Sequence, residues 1–158
     1  MGTIITWWGR IEGLMVNDLI TLRQMPENAE LAAKEPFPSA TKQTIKQWEA
    51  MHGLAWQAHP DRLSQIAAMA PEMRELSESR HVLVRSFWPY GNSDNSKITV
   101  QRVRPKKNGF EFATFDLTIS EMDALNERLV RLYHRAMALS MNLLIHRSRL
   151  TKANTASE

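Results

Sequence analysis

The sequence contains no cysteine, and its 158 residues include only six glycines and seven prolines. The absence of cysteine excludes a disulfide scaffold, thiolate-bound zinc, an iron–sulfur cluster and a thiol nucleophile. No run of about 18 apolar residues occurs, so no membrane-spanning helix and no membrane partner are predicted. The apolar start of the chain has no basic segment before it, so we expect no secretory signal. We therefore expect the protein in the cytoplasm.

The composition is that of an ordinary globular domain, with 43% hydrophobic and 23% charged residues. Nine methionines and five tryptophans indicate a helical core rich in large, adaptable side chains. The net charge of +3 is too small to imply nucleic-acid binding by itself. Its distribution is more informative, because residues 97–107 hold five basic residues and residues 128–152 hold six, and neither stretch contains an acid.

Apolar residues that recur at steps of three and four predict four long helices. The first three are expected over these ranges: 3–23, from 39 or 41 to 59, and 60–87. Pro71 lies inside the third helix and is expected to kink it or split it in two. The proline-containing connector 25–38 has room for a helical turn at 29–34.

The fourth helix is the clearest of the set. Thr118 and Glu121 form a capping box, in which each residue satisfies a backbone donor near the start of the helix. The apolar stripe that follows is widened by four residues, Val130, Tyr133, Met137 and Leu144. A stripe this wide on a long helix requires several partner helices or a dimer.

One strand signal precedes this helix. Two β-branched and aromatic runs, 98–104 and 110–117, flank the residues Lys107-Asn108-Gly109. Asn-Gly between two such runs is typical of a β-hairpin, because both residues tolerate a positive φ. The alternation slips near Val103 and Thr114, which predicts a bulge.

These elements predict a mainly α fold. We expect an antiparallel up-and-down bundle of about four long helices, with one β-hairpin at about 97–117 before the last helix. A single domain should cover residues 1–150, and residues 151–158 should form a flexible tail.

Arg80 is the most unusual residue of the third helix. Its spacing from Met73 and Phe87 places it in the apolar stripe. A buried guanidinium must be paired and hydrogen-bonded, and Glu12 and Asp18 on the first helix are the candidate partners. Two interpretations stay open: Arg80 and a carboxylate fix the register of two helices, or Arg80 is an active-site or anion-binding residue.

Residues 79–88, SRHVLVRSFW, resemble the late-helix signature of HEPN-type domains (higher eukaryotes and prokaryotes nucleotide-binding). In that signature an arginine, a polar residue and three mostly apolar residues precede a histidine, and small bacterial relatives often carry a tryptophan soon after, here Trp88. The first helix, with Trp8 and Glu12, is similar to its HEPN counterpart. The resemblance implies a helical bundle and a dimer whose motif helices face each other.

One position departs from the HEPN signature. The catalytic histidine of active HEPN ribonucleases aligns with Arg85; in that family the arginine and histidine support attack of an RNA 2′-hydroxyl on the next phosphate without a metal. Arginine stays protonated near neutral pH and cannot act as a general base. His81 directly follows Arg80 and points to a different helix face. A divergent catalytic site would therefore have to use Arg80, His81 and Arg85.

The predicted hairpin is a second candidate site. Its five basic residues complete a set of candidate binding residues that also includes Glu12, Arg80 and Trp88: Lys97, Arg102, Arg104, Lys106 and Lys107. Basic residues interleaved with the phenylalanines at 110, 112 and 115 can hold single-stranded nucleic acid. In the alternative interpretation the phenylalanines face the bundle and the lysines protect a strand edge.

No metal or other cofactor is expected. None of the five histidines pairs with another at metal-ligand spacing on one helix, and no acidic cluster accompanies them. The sequence contains no Walker loop, no G-x-G-x-x-G and no G-x-S-x-G motif.

Three functions follow from these residues. We expect a non-catalytic HEPN-like interaction or regulatory module that forms a homodimer or binds a partner protein; the resemblance implies a bacterial setting such as toxin–antitoxin or phage defence. The first alternative is a metal-independent ribonuclease with a divergent site. The second alternative is binding of RNA or DNA through the basic hairpin.

Overall fold

The computed structural model describes residues 2–84, 86–87, 97–106 and 109–155. Its helices are α1 (Gly2–Leu22), α2 (Ala29–Lys34), α3 (Thr41–Ala55), α4 (Pro60–Val84) and α5 (Ile119–Thr155), with a 3-10 turn at Pro26–Asn28. Its strands are β1 (Ser86–Phe87), β2 (Lys97–Lys106) and β3 (Gly109–Thr118), which form one antiparallel sheet in the order β1-β2-β3. The predicted fold class, a mainly helical bundle with a hairpin before the last helix, is confirmed.

The four long helices bury one face each against a shared core. In α1 that face repeats at steps of three and four through Ile4, Trp8, Ile11, Met15, Leu19 and Leu22. Bulky side chains from the other helices complete the core, among them Trp48, Met51, Met69, Met73, Leu132 and Leu139. Methionine is unbranched and fills irregular gaps between tryptophans. Among the described helices, none is both long enough and apolar enough to cross a bilayer.

The long helices of the bundle do not simply alternate in direction along the chain. The Trp7 ring, near the start of α1, lies 5.2 Å from the Tyr133 ring between centroids. Beyond the end of α1, Gln24 accepts a hydrogen bond from Arg147. Contacts therefore follow the same order along both helices, and α1 runs in the same direction as α5. A strict up-and-down order would have alternated these directions.

α1 and α3 also run in the same direction, because the connector between them carries the chain back along α1. Arg23 at the end of α1 donates hydrogen bonds to the carbonyls of Ala32 and Glu35. Gln47 of α3 then holds the carbonyl of Pro36 at 2.8 Å. The predicted helical turn at 29–34 is confirmed, and the hydrogen bonds from Arg23 tie it to the end of α1.

α4 runs unbroken through Pro71, so the predicted division of this helix at the proline does not occur. Proline removes one backbone hydrogen bond, but Pro71 is exposed and its neighbours Ala70 and Met73 are fully buried. Core packing on both sides thus holds the helix together. The predicted extension of this helix to Phe87 is wrong, because Ser86 and Phe87 pair with β2 instead.

The hairpin pairs residue for residue from Lys97 with Thr118 to Lys106 with Gly109. Val103 faces Phe112 and Thr114 faces Gln101 in that regular register, so the predicted bulge is wrong. Gly109 has a φ of 142°, a conformation that favours glycine. The two residues of the predicted turn, 107 and 108, lie outside the described part of the chain.

α5 begins at the predicted capping box. The backbone N–H and Oγ1 of Thr118 both donate to Oε2 of Glu121, at 2.7 and 2.9 Å, and the Glu121 N–H donates back to Oγ1 at 3.1 Å. These hydrogen bonds lower the pKa of the Glu121 carboxyl from its ordinary 4.5. The helix continues to Thr155, so residues 151–155 of the predicted tail are helical.

Candidate functional site

Arg80 lies half-buried near the end of α4, and its Nε atom is buried without a hydrogen-bond partner. Neither predicted carboxylate pairs with it among the described residues. Glu12 accepts a hydrogen bond from Thr41 at 2.6 Å, and Asp18 accepts one from Trp48 at 2.9 Å. Both acids contact α3 rather than α4, so the predicted helix-register pair does not form.

His81 follows Arg80 on α4 and is also half-buried. Adjacent helical residues point about 100° apart, which separates these two side chains as predicted. Arg85, Trp88 and Lys107 lie outside the described residues. The arrangement of the Arg80…Arg85 motif is therefore still a sequence prediction.

An open cleft of about 380 Å³ lies between the last turns of α4 and the first turns of α5. Its lining is largely apolar and includes Leu117, Met122 and Leu125. Arg128 lies at its edge but is held by Glu75, whose two carboxylate oxygens accept hydrogen bonds at 2.8 and 2.9 Å. This contact lowers the pKa of Glu75 and raises that of Arg128. The cleft thus offers an apolar surface and no unpaired charge at this edge.

The hairpin does not alternate basic and aromatic residues across its two strands. Arg102, Arg104 and Lys106 of β2 pair with Ala113, Glu111 and Gly109. The phenylalanines at 110, 112 and 115 pair instead with Pro105, Val103 and Val100. The remaining basic strand residue, Lys97, is exposed.

Phe112 lies on the surface, where 68% of it is exposed. The interpretation in which the phenylalanines pack on the bundle is therefore wrong for this residue. Val100 of β2 is fully buried instead, and Leu117 of β3 packs against the helical core.

The outer face of α5 carries exposed apolar residues. Met137, Met141 and Leu144 are 39%, 56% and 52% exposed and lie within two turns of each other. Half-buried Val130 and Tyr133 extend the same face toward the start of the helix. We name these five residues the outer face. Four of them belong to the wide stripe that the sequence predicts, and Met141 is the fifth.

A buried polar chain links α1 to α3. Asp18 Oδ2 accepts a hydrogen bond from Trp48 Nε1 at 2.9 Å and contacts His52 Nε2 at 3.1 Å. Trp56 Nε1 donates to His52 Nδ1 at 3.2 Å. Because an indole N–H can only donate, His52 must accept at Nδ1 and carry its proton on Nε2, which donates to Asp18. In the sequence, the signal for these buried hydrogen bonds is the acid at position 18, close to the apolar face of α1. Asp18 was expected to pair with Arg80 instead.

Among the described residues, no group of three or more metal-ligating side chains is placed to hold a metal ion. Comparison of the chain with known protein families, with curated proteins and with solved structures finds no match.

Proposed function

We propose that this chain is a non-catalytic interaction module of the cytoplasm that forms a homodimer through the outer face of α5. The observation that carries the proposal is the exposure of Met137, Met141 and Leu144 on one side of a helix whose other side is already buried in its own bundle. Exposed apolar residues scattered singly are ordinary on protein surfaces, whereas a continuous patch indicates an interface.

The spacing of the outer face favours a second copy of α5 as its partner. Val130, Met137 and Leu144 are seven residues apart, and Met141 lies four residues beyond Met137. This repeat is the one with which two like helices pack side chains between each other along a shared seam. A two-fold dimer presents the same surface twice, so a single stripe is sufficient to form it.

The chemistry near the HEPN-like motif supports a role without catalysis. The position that would supply the general base holds Arg85, which remains protonated near neutral pH. The neighbouring cleft is mainly apolar, and its arginine is paired with Glu75. These features suit contact with a protein better than cleavage of a phosphodiester.

The solution mass of the wild type and of two variants, Met141→Glu and Leu144→Glu, tests the proposal. Burying each apolar side chain contributes about 1.5–3 kcal/mol, and every substitution acts twice in a symmetric dimer. We therefore expect a wild-type dimer and variants whose dimer dissociates at least a hundredfold more readily, which is about 2.7 kcal/mol.

Leu54→Glu is the matched control, because Leu54 is an exposed leucine on α3, outside the outer face. This variant should keep the wild-type mass. A wild type that stays monomeric at high micromolar concentration contradicts the proposal. So does an equal loss of the dimer in all three variants.

A metal-independent ribonuclease is the second candidate, favoured by the buried and unpartnered Nε of Arg80. Incubation with mixed single-stranded RNA in the presence of a chelator separates the two functions. The interaction module leaves the RNA intact. Cleavage that disappears in a folded Arg80→Ala protein would establish the ribonuclease instead.

A further inference from the structure

A small basic pocket lies where the start of α4 meets the last third of α5. Its volume is about 260 Å³, and its lining residues include two histidines and two arginines. The lining residues that we use below are Trp56, His59, Arg62, Asn142, His146 and Arg149. We name these six residues the basic pocket.

The local backbone explains why the two histidines meet. His59 precedes the first residue of α4, and its carbonyl accepts the N–H groups of Arg62 and Leu63, which fixes it at the helix start. On α5, Asn142, His146 and Arg149 are spaced four and three residues apart and therefore share one face. The His59 and His146 rings lie 6.0 Å apart between centroids and are nearly perpendicular.

Trp56 forms the base of the pocket and is fixed by a hydrogen bond to His52 on the core side. Its ring lies 5.3 Å from the His59 ring and 4.9 Å from the His146 ring. Its Nε1 donates to buried His52, which in turn contacts Asp18. Both imidazoles thus pack on an indole that the polar core holds in place, so the pocket is rigid at its base.

The positive charges of the pocket are not paired with acids, in contrast to two arginines farther along the same pair of helices. Farther along α4 and α5, Arg128 contacts Glu75 and Arg135 contacts Glu72 at 2.7 Å. In the described part of the chain, neither arginine of the pocket forms an ion pair. Among the described residues, the Arg62 guanidinium donates a hydrogen bond to the neutral side chain of Gln65. Two arginines of α5 are thus paired with acids of α4 along the seam, whereas the two arginines of the basic pocket are not.

Nearby acids do not supply the missing charge. Asp61 in the first turn of α4 is exposed and does not line the pocket. On α5 no acid occurs between Arg128 and Lys152. Converging cations repel each other in a partly enclosed site unless an anion lies between them.

We propose that the basic pocket binds the phosphate group of a phosphorylated ligand. Guanidinium groups match phosphate oxygens with paired N–H donors, and imidazole and amide N–H groups add further donors. The volume is just below the 300–1,000 Å³ or so of pockets that enclose a whole drug-sized molecule. The pocket therefore accepts a phosphate and leaves the remainder of a larger ligand outside.

Titration with inorganic phosphate at constant ionic strength, followed by NMR, tests the site. The indole N–H of Trp56 and the imidazole of His146 report on the pocket, and the indole of Trp7, beside Tyr133, reports on a distant part of the bundle. We expect saturable shifts at Trp56 and His146 and none at Trp7. Parallel titrations with AMP and with a short single-stranded RNA show whether free phosphate, a nucleotide or a nucleic acid binds more tightly.

Arg149→Gln is the decisive variant, because Arg149 is exposed and its loss leaves the core intact. It should weaken phosphate binding at least about tenfold, the effect of one charge-assisted hydrogen bond. Arg147→Gln is the matched control, since Arg147 is an exposed arginine of the same helix that contacts Gln24 outside the pocket. It should change the affinity less than twofold.

Two results would overturn the proposal. One is the absence of a shift at Trp56 and His146 up to about 10 mM phosphate, a concentration that nearly saturates a site with a Kd of about 1 mM. The other is equal weakening by both arginine variants, which would indicate diffuse attraction to a basic helix end.

Discussion

Replacing Asp18 with alanine should destabilise the protein more than any surface substitution. Asp18 is 4% exposed, and its Oδ2 atom receives hydrogen bonds from both Trp48 and His52. Alanine removes this shared acceptor and leaves two N–H groups buried with nothing to bind. The polar chain that holds α1 against α3 then ends at His52.

The size of the effect follows from the two stranded donors. A buried donor without a partner costs about 1–3 kcal/mol, so two cost about 2–6 kcal/mol. Domains of this size are stable by about 5–15 kcal/mol in total. The loss of Asp18 therefore removes a large fraction of the free energy of unfolding. Asp18→Asn keeps one acceptor oxygen at this position and should cost less than Asp18→Ala.

Urea unfolding, followed by tryptophan fluorescence and circular dichroism, measures the change. Asn17→Ala is the control, because Asn17 is the exposed neighbour on the same helix. Both substitutions gain a similar amount of helix propensity, which cancels in the comparison. The control should change stability by no more than about 0.5 kcal/mol.

A double-mutant cycle with Trp48→Phe isolates the hydrogen bond itself, because phenylalanine removes the indole donor. We expect the pair to couple by at least about 0.5 kcal/mol. If Asp18→Ala costs no more than Asn17→Ala, or if the two changes in the cycle simply add, the buried chain does not stabilise the fold and the reasoning fails.

Two further predictions concern α5. Because Arg128 lowers the pKa of Glu75 from 4.5, their ion pair stabilises the folded state above that pH, and the contribution is lost as the pH falls through the lowered pKa. Both groups are partly exposed, so Glu75→Gln should cost at most about 1 kcal/mol of stability near neutral pH. The thermal unfolding midpoints of the variant and the wild type should converge in acid. A difference between the midpoints that stays constant with pH would contradict this prediction. Thr118→Ala removes the capping box and should cost about 1 kcal/mol with faster amide exchange in the first turn of α5, whereas Thr118→Ser should behave as the wild type.

The elements of the fold were predictable because their signals are local. Helical periodicity, the capping box at Thr118 and the strand runs each depend on residues close together in sequence. The helix is not divided at Pro71, because the buried neighbours Ala70 and Met73 offset the local cost of the proline. The direction of α1 relative to α3 and α5 could not be predicted from local signals, since it depends on where the connector 23–40 packs.

The candidate sites were harder to predict for the same reason. The sequence predicts a contact between Asp18 and Arg80 because both lie near apolar faces. In the structure, however, Asp18 on α1 faces Trp48 and His52. His59 and His146 are 87 positions apart, and no spacing rule relates them. Only the packing of α5 beside the start of α4 brings their rings together. In contrast, the outer face lies on one helix, and its stripe was visible in the sequence.

The parallel pairing of α1 with α5 has a consequence for the order of assembly. Gln24 and Arg147 touch across 123 positions of sequence, whereas α3 and α4 are joined by a link of four residues. Closing a long loop costs more conformational entropy than forming a local helical hairpin. The contacts between α1 and α5, which are far apart in sequence, therefore form late. During synthesis α5 is the last described helix to emerge. Until α5 docks, it does not cover the apolar face of α1 that includes Trp8. During that interval the nascent protein is most exposed to aggregation and proteolysis.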